Sequence, residues 1–277
     1  AVVRSSPASV RVRDSMSVKQ SAEQRAAPNA RARILTRADA PSIAYHRVEG
    51  TSPGIMFLTG FMSDMAGSKA LALDALCRAR GHAFVRFDYR GHGESEGAFE
   101  DGDIATWFAD ALDVFDRLTE GPQILVGSSM GGWIMLLLAR ARADRIKGLV
   151  GIAAAPDFTE RLKADMTSQH RVELAETGKI VVPSAYGDDY VFTRGLLEAG
   201  HANRLLEGKI AFDGPVRLLH GMADTAVPWH ISLRIQDALT SSDVETTLIK
   251  TGDHRLSEPA DLARLTRVIE GLLDGLA

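Results

Sequence analysis

Short apolar runs alternating with helix-period segments predict a mostly parallel central α/β sheet flanked by helices on both faces. Two further observations agree. Residues 54–58 and 124–126 are nearly unbroken apolar runs, which suits strands covered on both sides. Residues from about 157 to 213 break the alternation, and this is the pattern of a segment inserted over the sheet.

Taken in order, residues 33–36 and 43–48 alternate as two antiparallel strands about the turn Asp39-Ala40-Pro41. Residues 54–58 form a strand ending at Thr59-Gly60, and 68–80 a helix in which Leu71, Ala75 and Leu76 are spaced to share a face. The unit then repeats as strand 82–87 with helix 104–118, and strand 123–126 with helix 130–143. Strands at 149–153, 216–219 and 244–249 follow, and a helix from near Glu258 carries Leu262, Leu265, Ile269 and Leu272. The insertion opens at Pro156-Asp157, where Asp157 with Glu160 three places on resembles a capping box. Phe158, Leu162 and Met166 recur every fourth residue, and a second amphipathic stretch covers 194–206, so the insertion is expected to be a small helical cap.

Residues 1–33 carry seven Lys/Arg against Asp14 and Glu23, with no sustained hydrophobic period, and are expected to be a flexible arm ahead of one domain at 34–277. Arg-rich, Ser-rich and acid-poor, the arm also suits an organellar transit peptide. The expected location is the cytoplasm of a bacterial source, with mitochondria as the alternative. A net charge of -4 and the lack of Lys/Arg clusters interleaved with aromatics argue against a nucleic-acid partner. The longest apolar run near the middle, 133–139, is far too short for a membrane span. Cys77 is the sole cysteine, so no disulfide framework or Cys-rich metal site can form, and it is expected to be core packing. The glycines of residues 87–97 depart from a dinucleotide fingerprint, and no His/carboxylate pair has metal-ligand spacing. No cofactor and no metal are expected, and the oligomeric state is open.

The chemistry starts at Gly127-Ser128-Ser129-Met130-Gly131, a G-x-S-x-G pentapeptide between a buried strand and an apolar helix. Ser129 takes the nucleophile's place at the strained turn. A serine hydroxyl needs a base to remove its proton as it attacks, and of eight histidines His254, on the loop after the last strand, suits that role. Asp224, in the loop after strand 216–219, is the expected acid that orients the imidazole. Asp157 is the substitute acid, Asp253 lies too near His254, and His220 is expected to buttress the acid loop. Attack on an acyl carbon puts charge on its oxygen, for which the backbone N–H groups of Met130 and Phe61 are the expected donors.

With these motifs, the chain resembles the α/β-hydrolase fold family. From Gly54 onward it is similar to the branch of mitochondrial palmitoyl-protein thioesterases that also act as mycophenolic acid acyl-glucuronide esterases. The blocks that carry the likeness are residues 60–70, 121–133, 217–222, 227–230 and 253–255, with Pro183-Ser184-x-Tyr186 in the cap. The resemblance implies the same three residues, Ser129, Asp224 and His254, and a small-molecule or acyl-protein ester or thioester as substrate. The expected activity is ester or thioester hydrolysis through an acyl-enzyme. A peptidase or acyltransferase using the same triad, and a non-catalytic binding protein on this fold, are the alternatives.

Overall fold

The computed structural model describes residues 31–183 and 189–276. Residues 1–30 of the expected arm, and Ser184 and Tyr186 of the cap motif, lie outside the described residues. Eight strands form one sheet: β1 (Arg33–Leu35), β2 (Ile43–Val48), β3 (Thr51–Leu58), β4 (His82–Phe87), β5 (Gln123–Ser128), β6 (Ile146–Ile152), β9 (Val216–Gly221) and β10 (Val244–Ile249). Their order is β1-β2-β4-β3-β5-β6-β9-β10, antiparallel at β1–β2 and β2–β4 and parallel from β4 onward. The two strands between β6 and β9, β7 (Lys179–Val182) and β8 (Tyr190–Thr193), pair with each other as a separate antiparallel hairpin.

The near-continuous apolar strands follow from burial of both faces, since successive side chains point to opposite sides. Met56, Leu58 and Leu125 enter the cluster that holds Trp107 and Phe115 of α2 (Ile104–Leu118) and Trp133 of α3 (Met130–Ala141). Their neighbours Ile55, Phe57, Ile124 and Val126 join Leu73 and Cys77 of α1 (Ser68–Arg80) and Leu265 and Ile269 of α8 (Pro259–Gly275). Burying each large aliphatic side chain contributes roughly 1.5–3 kcal/mol, so these two layers dominate the stabilisation. Residues 133–139 are buried on every side, as their unbroken apolar character requires. After β3 the chain turns to β4 on one side, and then to β5 on the other. The carboxyl ends of β3 and β5 therefore border the switch point at which open α/β sheets form their binding crevice.

Several elements differ from expectation. The face of α1 that packs inward carries Ala70, Leu73, Asp74 and Cys77, while Leu71 is 38% exposed. Hydrophobic spacing misses this face because one of its members is a carboxylate, made tolerable there by hydrogen bonds from Arg86 and Arg78. Asp157 forms no capping box: it sits before α4 (Phe158–Asp165) at φ 57, with no side-chain cap bond, and its carboxylate instead accepts from Leu205 and Leu206 N–H. The second amphipathic stretch is shorter than expected, as α6 (Arg194–Ala202). Between α4 and α6 lie α5 (Ser168–Thr177) and the hairpin, neither of which was expected, and α7 (His230–Ala238) follows β9. The exposed α5 has no buried residue and so no apolar stripe to betray it.

Candidate active site

The loop after β5 brings Ser129 to the switch point at φ 54 and ψ -119, a conformation costly for a residue with a Cβ. The surroundings hold it there: Ser129 N–H donates to Ile152 O at 2.9 Å, and its carbonyl accepts from Gly132 and Ala155 N–H at 2.9 and 3.0 Å. The flanking glycines are a steric demand. A Cβ on Gly127 would lie 2.4 Å from Gly131 O, and one on Gly131 would lie 2.1 Å from Leu58 O. Those contacts are with backbone, which cannot yield as a side chain does.

Three loops from distant parts of the chain meet at this turn. His254, past the end of β10, has Nε2 3.1 Å from Ser129 Oγ and Nδ1 2.7 Å from Asp224 Oδ2. The carboxylate dictates the tautomer: Nδ1 carries the proton and donates to Asp224, leaving Nε2 to accept from the serine hydroxyl. Asp224 is buried in the loop after β9, its Oδ1 accepting from Ala226 and Val227 N–H at 2.8 Å each. Burial alone pushes its carboxyl up, but hydrogen bonds from His220, His254 and the Val227 N–H outweigh that and hold it well below the usual carboxylate range.

His220 is fully buried beneath this carboxylate. Its Nε2 faces two acceptors, Asp224 Oδ2 at 3.2 Å and Val227 O at 3.0 Å, so that nitrogen bears the proton. Its Nδ1 then accepts from Ser232 Oγ at 2.7 Å. Ser232, from α7, was not singled out in the sequence, and a lone serine twelve residues from its partner leaves no signal there. The remaining six histidines serve elsewhere: His46 lies on β2, His82 faces Pro53 O, His92 is buried against Arg90 O, His201 contacts Glu160, and His170 and His230 lie on α5 and α7. Asp157 binds the backbone of residues 205–206, and Asp253 accepts from Leu256 N–H, so neither serves His254.

A cavity of about 660 Å³ opens over Ser129 and His254, and Phe61 and Met130 line it as well. Phe61 follows Gly60, whose Cβ position would be 3.4 Å from the Ser129 Cβ, so the loop after β3 runs directly beside Ser129. The Phe61 ring stacks on Phe192 of β8 at 5.2 Å and meets Phe158, Tyr190 and Phe99 at 5.0 to 5.9 Å. One wall is thus aromatic, and built largely by the insertion. Lys69, Arg161 and Arg255 line other parts. Burial, then the nearby charge of Arg255, pulls the Lys69 ammonium down to about 8. Tyr190, Phe192 and these three cations were not identified from sequence, because their elements and chain separations hide the shared cavity.

Among the described residues, no group of three or more His, Cys, Asp or Glu could hold a metal, and no helix is long and apolar enough to cross a membrane.

Comparison with known proteins gives consistent matches. The Hydrolase_4 family model, described as serine aminopeptidase S33, matches residues 54–188. The chain is 42% identical over 246 residues to the palmitoyl-protein thioesterase ABHD10, mitochondrial, of Bos taurus, covering 88% of this chain and 80% of that protein. The solved structure of the mouse α/β hydrolase domain-containing protein 10 superposes with a TM-score of 0.84 at 40% identity, covering 90% of this chain and 100% of the other. A protein of Agrobacterium vitis S4, described broadly as a hydrolase, superposes with a TM-score of 0.83 at 42% identity, covering 87% and 97%.

Proposed function

Because the chain belongs to the α/β-hydrolase family, we propose that it is a serine hydrolase of acyl thioesters and esters in which Ser129, His254 and Asp224 are the catalytic triad. The observation that carries this reading is the continuous relay from Ser129 Oγ through both ring nitrogens of His254 to Asp224, at 3.1 and 2.7 Å, opening onto a cavity with an aromatic wall.

In this reading, His254 Nε2 takes the hydroxyl proton while Ser129 Oγ attacks the acyl carbon. Asp224 stabilises the imidazolium without taking its proton. The charge on the former carbonyl oxygen is met by the N–H groups of Met130 and Phe61, preorganised donors each worth roughly 2.7–4 kcal/mol in the transition state. His254 then protonates the departing alcohol or thiol, leaving an acyl-serine. Water, deprotonated by the same nitrogen, attacks this ester; Ser129 leaves with the proton, and the carboxylic acid departs. The acyl chain lies along Phe61, Phe158, Tyr190 and Phe192, so chain length is read by the inserted segment.

The names of the vertebrate relatives support a fatty acyl thioester as substrate and a mitochondrial location over the cytoplasmic one. Hydrolysis of p-nitrophenyl esters and S-acyl thiols from two to sixteen carbons tests the substrate reading. The expected profile rises with acyl length for both leaving groups. Turnover confined to aminoacyl amides would favour a peptidase and overturn it. Import of a fluorescent protein fused to residues 1–33 tests the location.

A further inference from the structure

Three buried charged side chains lie beside the site without joining the triad. Arg86 of β4 is 2% exposed, Asp88 just beyond it 1%, and Asp74 of α1 3%. Buried charges are tolerated only when paired or hydrogen-bonded, so their partners show what they are for. Two of them converge on one residue of the loop after β3. Asp88 Oδ1 accepts from Met65 N–H at 2.7 Å, and Arg86 Nη1 donates to Met65 O at 2.8 Å. Both backbone polar groups of Met65 are therefore held by ionic side chains. The rest of each charge is also engaged: Asp88 Oδ2 accepts from Glu94 N–H at 2.9 Å, and Arg86 Nε donates to Asp74 Oδ2 at 3.2 Å.

Met65 closes the stretch that carries Phe61, and that stretch holds itself together weakly. Ser63 N–H reaches Gly60 O at 3.2 Å, while the hydroxyls of Thr59 and Ser63 reach Ser63 O and Phe61 O only at 3.5 Å. Met62 sits at φ 52, in the left-handed region disfavoured for a side-chain-bearing residue. Asp64 Oδ1 accepts from Ala66 N–H at 2.8 Å, a local turn that does not reach Phe61. Charge-assisted bonds are about twice as strong as neutral ones, so among the hydrogen bonds of this loop the clamp on Met65 is the firmest, and it fixes the backbone beyond the packed Phe61 ring.

We propose that Arg86 and Asp88 are positioning residues for the oxyanion hole, fixing Met65 so that Phe61 N–H stays where the acyl oxygen gains charge. The proposal rests on the reading of Phe61 as an oxyanion donor.

The test measures kcat and KM for a p-nitrophenyl ester, and Ki for an alkylboronic acid whose tetrahedral adduct places an oxygen in the hole. It compares the native protein with Asp88→Ala, Asp88→Asn, Arg86→Met and Asp74→Asn. Losing a whole donor costs ~10²–10³-fold, and a displaced donor should cost at least about 10-fold. Asp88→Ala and Arg86→Met should lower kcat and weaken the boronate by the same factor, with KM within about 2-fold. Asp88→Asn, which keeps one acceptor, should fall between, and it carries the comparison if the alanine variant does not fold. Asp74→Asn, equally buried but reaching the loop only through Arg86, should lower the melting temperature and leave kcat and Ki within about 2-fold. Folded Asp88 and Arg86 variants with native kcat and Ki would overturn the proposal, as would an equal loss in Asp74→Asn. A native protein inactive on every ester and thioester would instead overturn the hydrolase reading itself.

Discussion

Replacing Asp224 with asparagine keeps the volume of the proposed orienting acid and removes its ability to accept on both sides. In the native site four donors converge on this carboxylate: Ala226 and Val227 N–H on Oδ1, and His254 Nδ1 and His220 Nε2 on Oδ2. Asparagine can satisfy the two backbone donors only by turning its NH2 toward the histidines. His254 must then place its proton on Nε2 so that Nδ1 can accept, and Nε2 can no longer take the Ser129 proton. The same tautomer error in a serine-protease triad lowers kcat about 10⁴-fold, roughly 5.4 kcal/mol at 1.36 kcal/mol per decade. The expected result for Asp224→Asn is a loss of about 10³–10⁴ in kcat with little change in KM, read by steady-state ester hydrolysis near pH 7.5 beside a thermal melt. There is a second readout in acid. Native Asp224 is held below its unfolded value, so its contribution to stability is full above about pH 4 and fades as pH falls through the lower native value. Denaturant melts of the variant should therefore lose part of the acid dependence. A folded variant that keeps kcat within about tenfold of native would refute this role for the carboxylate.

Other outcomes follow from the same geometry. His220→Leu should cost about 1–3 kcal/mol of stability, because Ser232 Oγ and Val227 O lose a buried partner, and should reduce kcat less than Asp224→Asn does; urea melts and kinetics check both. Gly131→Ala should destabilise by about 1–3 kcal/mol or more, since its Cβ meets Leu58 O at 2.1 Å, and equilibrium unfolding measures this. Cys77 is fully buried and its thiol is pushed up to about 12, so it should resist a disulfide reagent in the folded protein and react at once in denaturant. Rapid native-state modification would contradict that packing.

The sheet was legible in the sequence because strands covered on both faces write their burial directly as apolar runs, and 130–139 does so for a helix buried on every side. The convergence of Ser129, Asp224 and His254 was legible because each stands on a loop that follows a strand of the sheet. What escaped detection had mixed signals. The inward face of α1 includes Asp74, a carboxylate held by Arg78 one turn on and by Arg86 in the next strand, and it interrupts the apolar spacing that marks a buried face. The pair Asp157 and Glu160 has the spacing of a capping box, yet Asp157 takes a left-handed conformation and binds residues 205–206 instead. The aromatic wall unites Phe61 with Phe192 across more than a hundred residues, a proximity no local period can encode.

The most direct measurement is labelling by a serine-directed fluorophosphonate, together with ester turnover, in the native protein and in Ser129→Ala. The expected result is stoichiometric labelling of the native chain at residue 129, with both signals abolished in the alanine variant while its melting curve is retained. Undiminished labelling and turnover in that variant would mean that another residue attacks the acyl carbon.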